Sequence, residues 1–186
     1  MGILFTLAAM TPPLHQLPAH VAHSRTHVHV VVETPKGGRN KLAFNPGLGT
    51  FKLEGVLPEG HSFPYDFGFI PSTLAEDGDP LDVLLLLETP AFPGVVVEAR
   101  LLGALEMEQH EPDGTVQRND RLLAVAANSR EHKDLHSITD LSTERLHEIE
   151  HFFHSYNEAK GGEVKVLRRV GPTQAQGLVT KALHTY

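Results

Sequence analysis

Phe63–Leu87 reads FPYDFGFIPSTLAEDGDPLDVLLLL, a short apolar run, an acid-rich turn and a second apolar run set end to end. Asp82 opens Val83-Leu84-Leu85-Leu86-Leu87, an apolar stretch bounded by turn residues that reads as a buried strand. Phe67-Gly68-Phe69-Ile70 reads as another short strand, stopped by Pro71. Between them Asp77, Asp79 and Asp82 fall within six residues, with Gly78 freeing the backbone and Pro80 stiffening the bend. Carboxylates this close repel one another, so they call for a proton, basic partners or a hard cation. A D-G-D-P turn alone is ordinary solvated turn chemistry. Asp82 departs from it, because an unpaired acid at the mouth of a strongly apolar strand is costly. Oxygen-only donors on a short rigid loop suit Mg²⁺, with Mn²⁺ as the second cation of that class. The acid spacing and the lack of flanking helices exclude an EF-hand.

Outward from this stretch the chain alternates short apolar segments with turns. His27–Glu33 (HVHVVVE) is a strand, and Thr34–Gly38 is a turn. Lys41–Phe44 and Thr50–Leu57 are strands joined by Asn45–Gly49. Val95–Met107 is a long strand or a bulged pair, Gln109–Asn119 a polar loop, and Arg121–Ala126 a strand. About seven short strands at regular spacing point to a closed or nearly closed barrel. The last third changes period. Ser142-Thr143-Glu144 caps a helix running to about Ala159, with Leu146, Ile149, Phe153 and Tyr156 on one face. Gly161-Gly162 ends it, Glu163–Val170 is a strand, and Pro172 opens a second amphipathic helix through about Leu183. The expected fold is α+β: a small β-barrel with two C-terminal helices packed alongside. Residues 1–26, with Pro12, Pro13 and Pro18, form an irregular N-terminal arm, and residues 27–186 form a single domain.

Composition narrows the function. A formal charge of −7 argues against a nucleic-acid partner. The absence of cysteine removes disulfides, zinc ribbons and thiol catalysis. No apolar run approaches the ~20 residues of a membrane span. Met1–Met10 is apolar but lacks the basic start of a secretory signal, and Gly2 is not in a convincing myristoylation context. The cytoplasm is the expected compartment. Walker, GxGxxG and GxSxG patterns are missing. Among the 13 histidines, His27 and His29 share a strand face, and His147, His151 and His154 form a helical stripe. That spacing suits zinc or nickel, but a solvated helix face is the better reading. Glu33 ends one apolar strand as Asp82 begins another. Lys41, Lys52, Arg118 and Arg121 are the cations available to a phosphate.

The run Phe63–Leu87 resembles the signature of family I soluble inorganic pyrophosphatases, and the resemblance extends over about residues 28–184. Val31–Pro35 is similar to the family's opening strand with its active-site Glu. Asn119–Val125 is similar to its second acidic stretch, and His151–Tyr156 to its His-Phe-Phe-x-x-Tyr helix. The resemblance implies a five-stranded OB-like barrel, hydrolysis of pyrophosphate to two phosphates with several Mg²⁺ ions, and a homo-oligomer. It implies Asp77, Asp79 and Asp82 as metal ligands, with Asp79 also taking a proton from the attacking water. Glu33 joins Asp79 in the catalytic set, and Lys41, Arg121 and Tyr156 would contact the substrate. The family's second-stretch metal ligand aligns with Asn119; Asp120 or Asp113 takes that place only if the register shifts.

Other family positions differ too. Ala43 stands for a Glu, Gly55 for a phosphate-binding Arg, Phe63 and Phe67 for tyrosines, and Asn157 for a Lys. Each lost contact to a phosphoryl group is worth about 2–4 kcal/mol of transition-state stabilisation. Two functions follow. One is a Mg²⁺-dependent diphosphatase, slow or retuned to a related phosphate compound. The other is a catalytically impaired relative serving as a cation- or partner-binding scaffold.

Overall fold

Alternate residues of one strand go to different cores. In β5 (Asp82–Leu86), Val83 and Leu85 join one apolar cluster while Leu84 and Leu86 join another. β8 (Arg121–Ala126) divides Leu122 and Ala124 from Leu123 and Val125 in the same way. A strand covered on both faces needs no polar alternation, which is why both read as unbroken apolar runs. The computed structural model describes residues 12–24 and 26–186. Its remaining strands are β1 (His27–Thr34), β2 (Asn40–Asn45), β3 (Thr50–Val56), β4 (Asp66–Phe69), β6 (Val96–His110), β7 (Val116–Arg118) and β9 (Glu163–Val170). The helices are α1 (Thr143–Glu158) and α2 (Pro172–Thr185).

Five strands close a ring: β1 pairs β4, β4 pairs β5, β5 pairs β8, β8 pairs β6, and β6 returns to β1. This is the small barrel the sequence calls for. Among these pairings β5–β8 is parallel and the others are antiparallel. β6 is long enough to serve β1 and β8 with one part and β9 and β7 with the other. One core joins β1, β5, β6 and β8 to Ala175, Val179 and Ala182 of α2. The other joins β5, β6, β8 and Phe67 to Leu146, Ile149, Phe152 and Phe153 of α1. Ser142 caps α1 by accepting from the Arg145 N–H at 3.2 Å. The β2–β3 hairpin is a separate two-stranded sheet. Side chains tie it to β1: the Thr34 hydroxyl bonds both N–H and C=O of Leu42, at 2.9 and 3.1 Å.

Two regions differ from the sequence reading. Gln109–Asn119 is not all loop, because Val116–Arg118 pairs with the end of β6 as a short hairpin. With one apolar residue, the exposed Val116, it carries no hydrophobic period to announce it. Within the arm, Leu14–Gln16 forms a 3₁₀ turn and His20 bridges to Val28. The Ala19 carbonyl accepts from the His29 N–H at 2.8 Å, and the His15 carbonyl from the Ser72 N–H at 2.9 Å. The described arm is thus laid on the barrel. The readings of Met1–Met10 and Gly2 fall outside the described residues. Among the described residues no helix is long and apolar enough to cross a membrane.

Gly68 makes the β1–β4 pairing possible. A Cβ there would collide with the Val31 carbonyl oxygen and lie 2.9 Å from its carbon. Both are backbone atoms of a central strand, so neither can swing aside. Gly68→Ala is expected to lower unfolding free energy by roughly 3 kcal/mol, the upper range of overpacking costs. Urea unfolding followed by circular dichroism checks this; an unchanged midpoint would show that β1 and β4 can separate cheaply.

Candidate active site

Because β5 and β8 are parallel, with Val83 beside Leu122, their first residues open at the same mouth of the barrel. Those residues are Asp82 and Arg121, and Oδ2 of the first lies 2.7 Å from Nη1 of the second. Two β-bulges add carboxylates. The β1–β4 register slips between Val32 and Thr34, which leaves Glu33 unpaired and re-aims it. Glu33 Oε1 accepts from the Phe44 N–H at 2.6 Å. The β2–β3 register slips opposite Lys41 and Leu42, which frees Glu54. Its Oε2 meets Lys41 Nζ at 3.0 Å.

The acidic loop is held at both ends. Thr73 donates its hydroxyl to the Ile70 carbonyl at 2.6 Å and accepts from the Leu81 N–H at 3.0 Å. Inside the loop Asp77 Oδ1 accepts from the Asp79 N–H at 3.1 Å, while Gly78 turns the chain at φ 88°. The last turn of α2 grips the loop from behind. The Leu74 N–H donates to the Ala182 carbonyl at 3.1 Å, and Lys181 pairs with Glu76 at 2.5 Å.

These elements enclose a cavity of about 540 Å³. Asp77, Asp79, Asp82, Glu33, Lys41, Arg121 and Tyr156, all singled out in the sequence, line it together. Asp120 does not. Its carboxylate faces the other way, accepting from the Met107 N–H at 2.9 Å and Arg118 Nε at 2.5 Å. Strand alternation is the reason: Asn119 and Arg121 line the cavity and the residue between them points away. Among the described residues His147, His151 and His154 are exposed, and no three His, Asp or Glu side chains are gathered into a metal-holding cluster.

Burial raises the Glu33 carboxyl to about 8, opposed by the Phe44 N–H and aided by Asp82. Burial also pushes Asp82 up, against Arg121 and Lys41 and with Asp77 and Asp79. Asp77 rises through burial and the Asp79 charge. For Lys41, burial pulls the ammonium down, but Tyr156, Glu54 and Asp82 outweigh it and set it above its ordinary value. The acids therefore share an unmet need for positive charge, and their oxygens face a common space. Asp77, Asp79 and Asp82 fit a hard divalent cation, which would relieve that repulsion once the side chains converge on it.

The model of the family described as "Inorganic pyrophosphatase" matches residues 30–186. The chain belongs to the inorganic pyrophosphatase family. It is 46% identical over 142 residues to the inorganic pyrophosphatase of Thermus thermophilus, covering 75% of this chain and 78% of that protein. With the Synechocystis inorganic pyrophosphatase it shares 41% identity over 140 residues, 75% of this chain and 80% of the other. The crystal structure of the Thermus thermophilus protein superposes with a TM-score of 0.84, covering 94% of this chain and 99% of that one.

Against the pyrophosphatase signature, the geometry returns some of what substitution removed. Asn157 is buried and donates to the Phe153 carbonyl at 2.8 Å, so it serves the end of α1. Lys160, however, lies 4.3 Å from the Tyr156 ring centroid and lines the cavity. Glu54 brings a carboxylate to the wall where Ala43 has none. Phe63 and Phe67 pack with each other, and Phe63 with Phe152 and Tyr156, at ring separations of 5.4, 5.2 and 6.1 Å. His15 reaches the rim from the arm. Neither bulge nor a lysine beyond a helix end leaves a sequence pattern, so Glu54 and Lys160 escape a reading by period.

The Glu33 shift has a sign that can be checked. Its folded value of about 8 lies above the ordinary 4.5, so between these limits the folded state holds a proton the unfolded chain lacks. Stability from this group falls as pH rises. In chelator, Glu33→Gln, which keeps an acceptor for Phe44, is expected to match the parent near pH 4.5. It should exceed the parent by roughly 2 kcal/mol or more at pH 8. Urea unfolding across that range tests it; parallel curves would mean that the carboxyl is ionised throughout.

Proposed function

We propose that this chain hydrolyses inorganic pyrophosphate to two phosphates in the cavity between the acidic loop and Arg121, with Mg²⁺ as its cation and Mn²⁺ as a substitute. The observation that carries the reading is a pair of buried donors. Arg121 Nε and Tyr156 Oη have no hydrogen-bond partner among the described residues, and both residues line the cavity together with the acids. A buried donor without an acceptor is costly, and a phosphoryl oxygen would satisfy both. An anion alone would be repelled by the carboxylates of Glu54, Asp77, Asp79 and Asp82. Bound cations offset that charge and activate water.

Each side chain then has a task. Asp77, Asp79 and Asp82 hold the cation. Lys41, Arg121 and Tyr156 orient the phosphoryl groups, and Arg121 offers a planar fork. The Asp79 carboxylate accepts a proton as the water oxygen bonds to phosphorus and the bridging P–O bond breaks, releasing the second phosphate. Glu33, beside Asp82 and largely protonated at neutral pH while no cation is bound, limits the negative charge on the acid wall. Self-association is part of the proposal, supported by exposed apolar side chains such as Phe92, 77% exposed, and Val56, 59% exposed.

Phosphate release from pyrophosphate by purified protein, with Mg²⁺, with Mn²⁺ and with chelator, tests the reading. Release that needs metal, and falls at least about 10²-fold in Asp79→Asn with the fold intact, is the expected result. A protein that binds Mg²⁺ but releases nothing would instead be the scaffold. A side chain at Gly55 meets nothing within 4 Å of its Cβ. Gly55→Arg is therefore accommodated and expected to raise kcat/KM by about tenfold or more, a fraction of one charged contact. Unchanged kcat/KM would mean that the clamp is complete without it.

A further inference from the structure

On one wall of the cavity, beside Asp82, β6 and the turn before β8 set Gln109 and Asn119 next to Arg121, whose Nη1 pairs with Asp82 at 2.7 Å. Arg121 Nη1 donates to Asn119 Oδ1. Asn119 Nδ2 donates to Gln109 Oε1 at 3.1 Å, and Gln109 Nε2 donates to Glu111 Oε1 at 2.6 Å. The two ends fix the direction of this relay. A guanidinium only donates and an ionised carboxylate only accepts, so neither amide can flip without setting like against like. Both amide oxygens, the atoms through which Asn and Gln ligate cations, are therefore taken by donors. The carboxylate next to Asn119 in sequence, Asp120, is turned to the far side and held by Met107 and Arg118. Meanwhile Arg121, 8% exposed, keeps an unpartnered Nε, and Tyr156 an unpartnered hydroxyl.

We propose that this wall binds anions and no cation. Asn119 and Gln109 are positioning residues that hold the Arg121 guanidinium toward phosphoryl oxygens, and cation binding is confined to the side that carries Asp77, Asp79 and Asp82. The identity of the anion rests on the pyrophosphate reading; the polarity of the wall does not. The relay supplies what a carboxylate at Asn119 would forfeit. It accepts from Arg121 Nη1, which already pairs with Asp82, without adding a second negative charge, so the unpartnered Nε stays available to a phosphate.

Binding without turnover tests this, so a chain that hydrolyses nothing still reports on the wall. Mn²⁺ bound per chain is counted by electron paramagnetic resonance in the absence of phosphate. Inorganic phosphate affinity is measured by calorimetry in saturating Mg²⁺. Asn119→Ala is expected to leave the Mn²⁺ count unchanged and its Kd within about twofold, while phosphate Kd rises about tenfold, one charge-assisted contact. Gln109→Ala, at a half-buried strand end, is expected to act the same way and serves if the first variant does not fold. Arg121→Lys with Asn119→Ala should bind phosphate no more weakly than Arg121→Lys alone, since Asn119 acts through the guanidinium. Loss of a bound Mn²⁺ in either amide variant would overturn the proposal, and so would additive losses in the double variant.

Discussion

The parallel pairing of β5 with β8 is the constraint from which the rest of the site follows. Antiparallel neighbours would send their first residues to opposite ends of the barrel. Here Asp82 and Arg121 start side by side and meet at 2.7 Å. A parallel connection needs a long crossover, and the chain between β5 and β8 supplies it with β6 and β7. The crossover strand β6 is also the one that closes the ring against β1. Barrel closure and the acid–guanidinium pair are thus two results of one topology.

Around that pair the cavity is divided by charge. Bulges in β1 and β3 turn Glu33 and Glu54 inward, and the acidic loop adds Asp77 and Asp79. Arg121, Lys41, Tyr156 and Lys160 answer from the other parts of the lining. Low exposure makes each uncompensated charge expensive, which is why Glu33 rests near 8 and Asp82 and Asp77 rise with it. The site answers to both signs of charge: its carboxylates are stabilised by positive charge, and its buried donors by negative charge. A substrate that arrives with its cations brings both.

Much of this was legible before any coordinates. The strands around Phe63–Leu87 announce themselves through apolar runs cut by Pro and Gly, and Ser142 and Pro172 mark helix starts within a residue of where they fall. Asp77, Asp79 and Asp82 stand out because mutual repulsion on a short loop demands an explanation. Asp120 is instructive. Alternation along a strand entry already sets it opposite Asn119 and Arg121, so the same reasoning that places Arg121 in the cavity removes its neighbour. Glu54 and Lys160 could not be read this way. A bulge depends on how two strands register, and the Ala159–Gly162 turn alone decides where Lys160 points. The short strand Val116–Arg118 was hidden for another reason: it buries little, so nothing in its composition marks it.

The grip of α2 on the acidic loop bears on how the protein is made. Lys181 and Glu76 are 105 residues apart, and the Ala182 carbonyl that holds Leu74 is farther still along the chain. A ribosome delivers the loop long before the helix that fixes it. Until α2 emerges, the loop's acids have no rear support and the barrel lacks Ala175, Val179 and Ala182 from its core. A nascent chain therefore carries the signature residues without a finished site, and assembly of the catalytic pocket waits for a helix translated long after them.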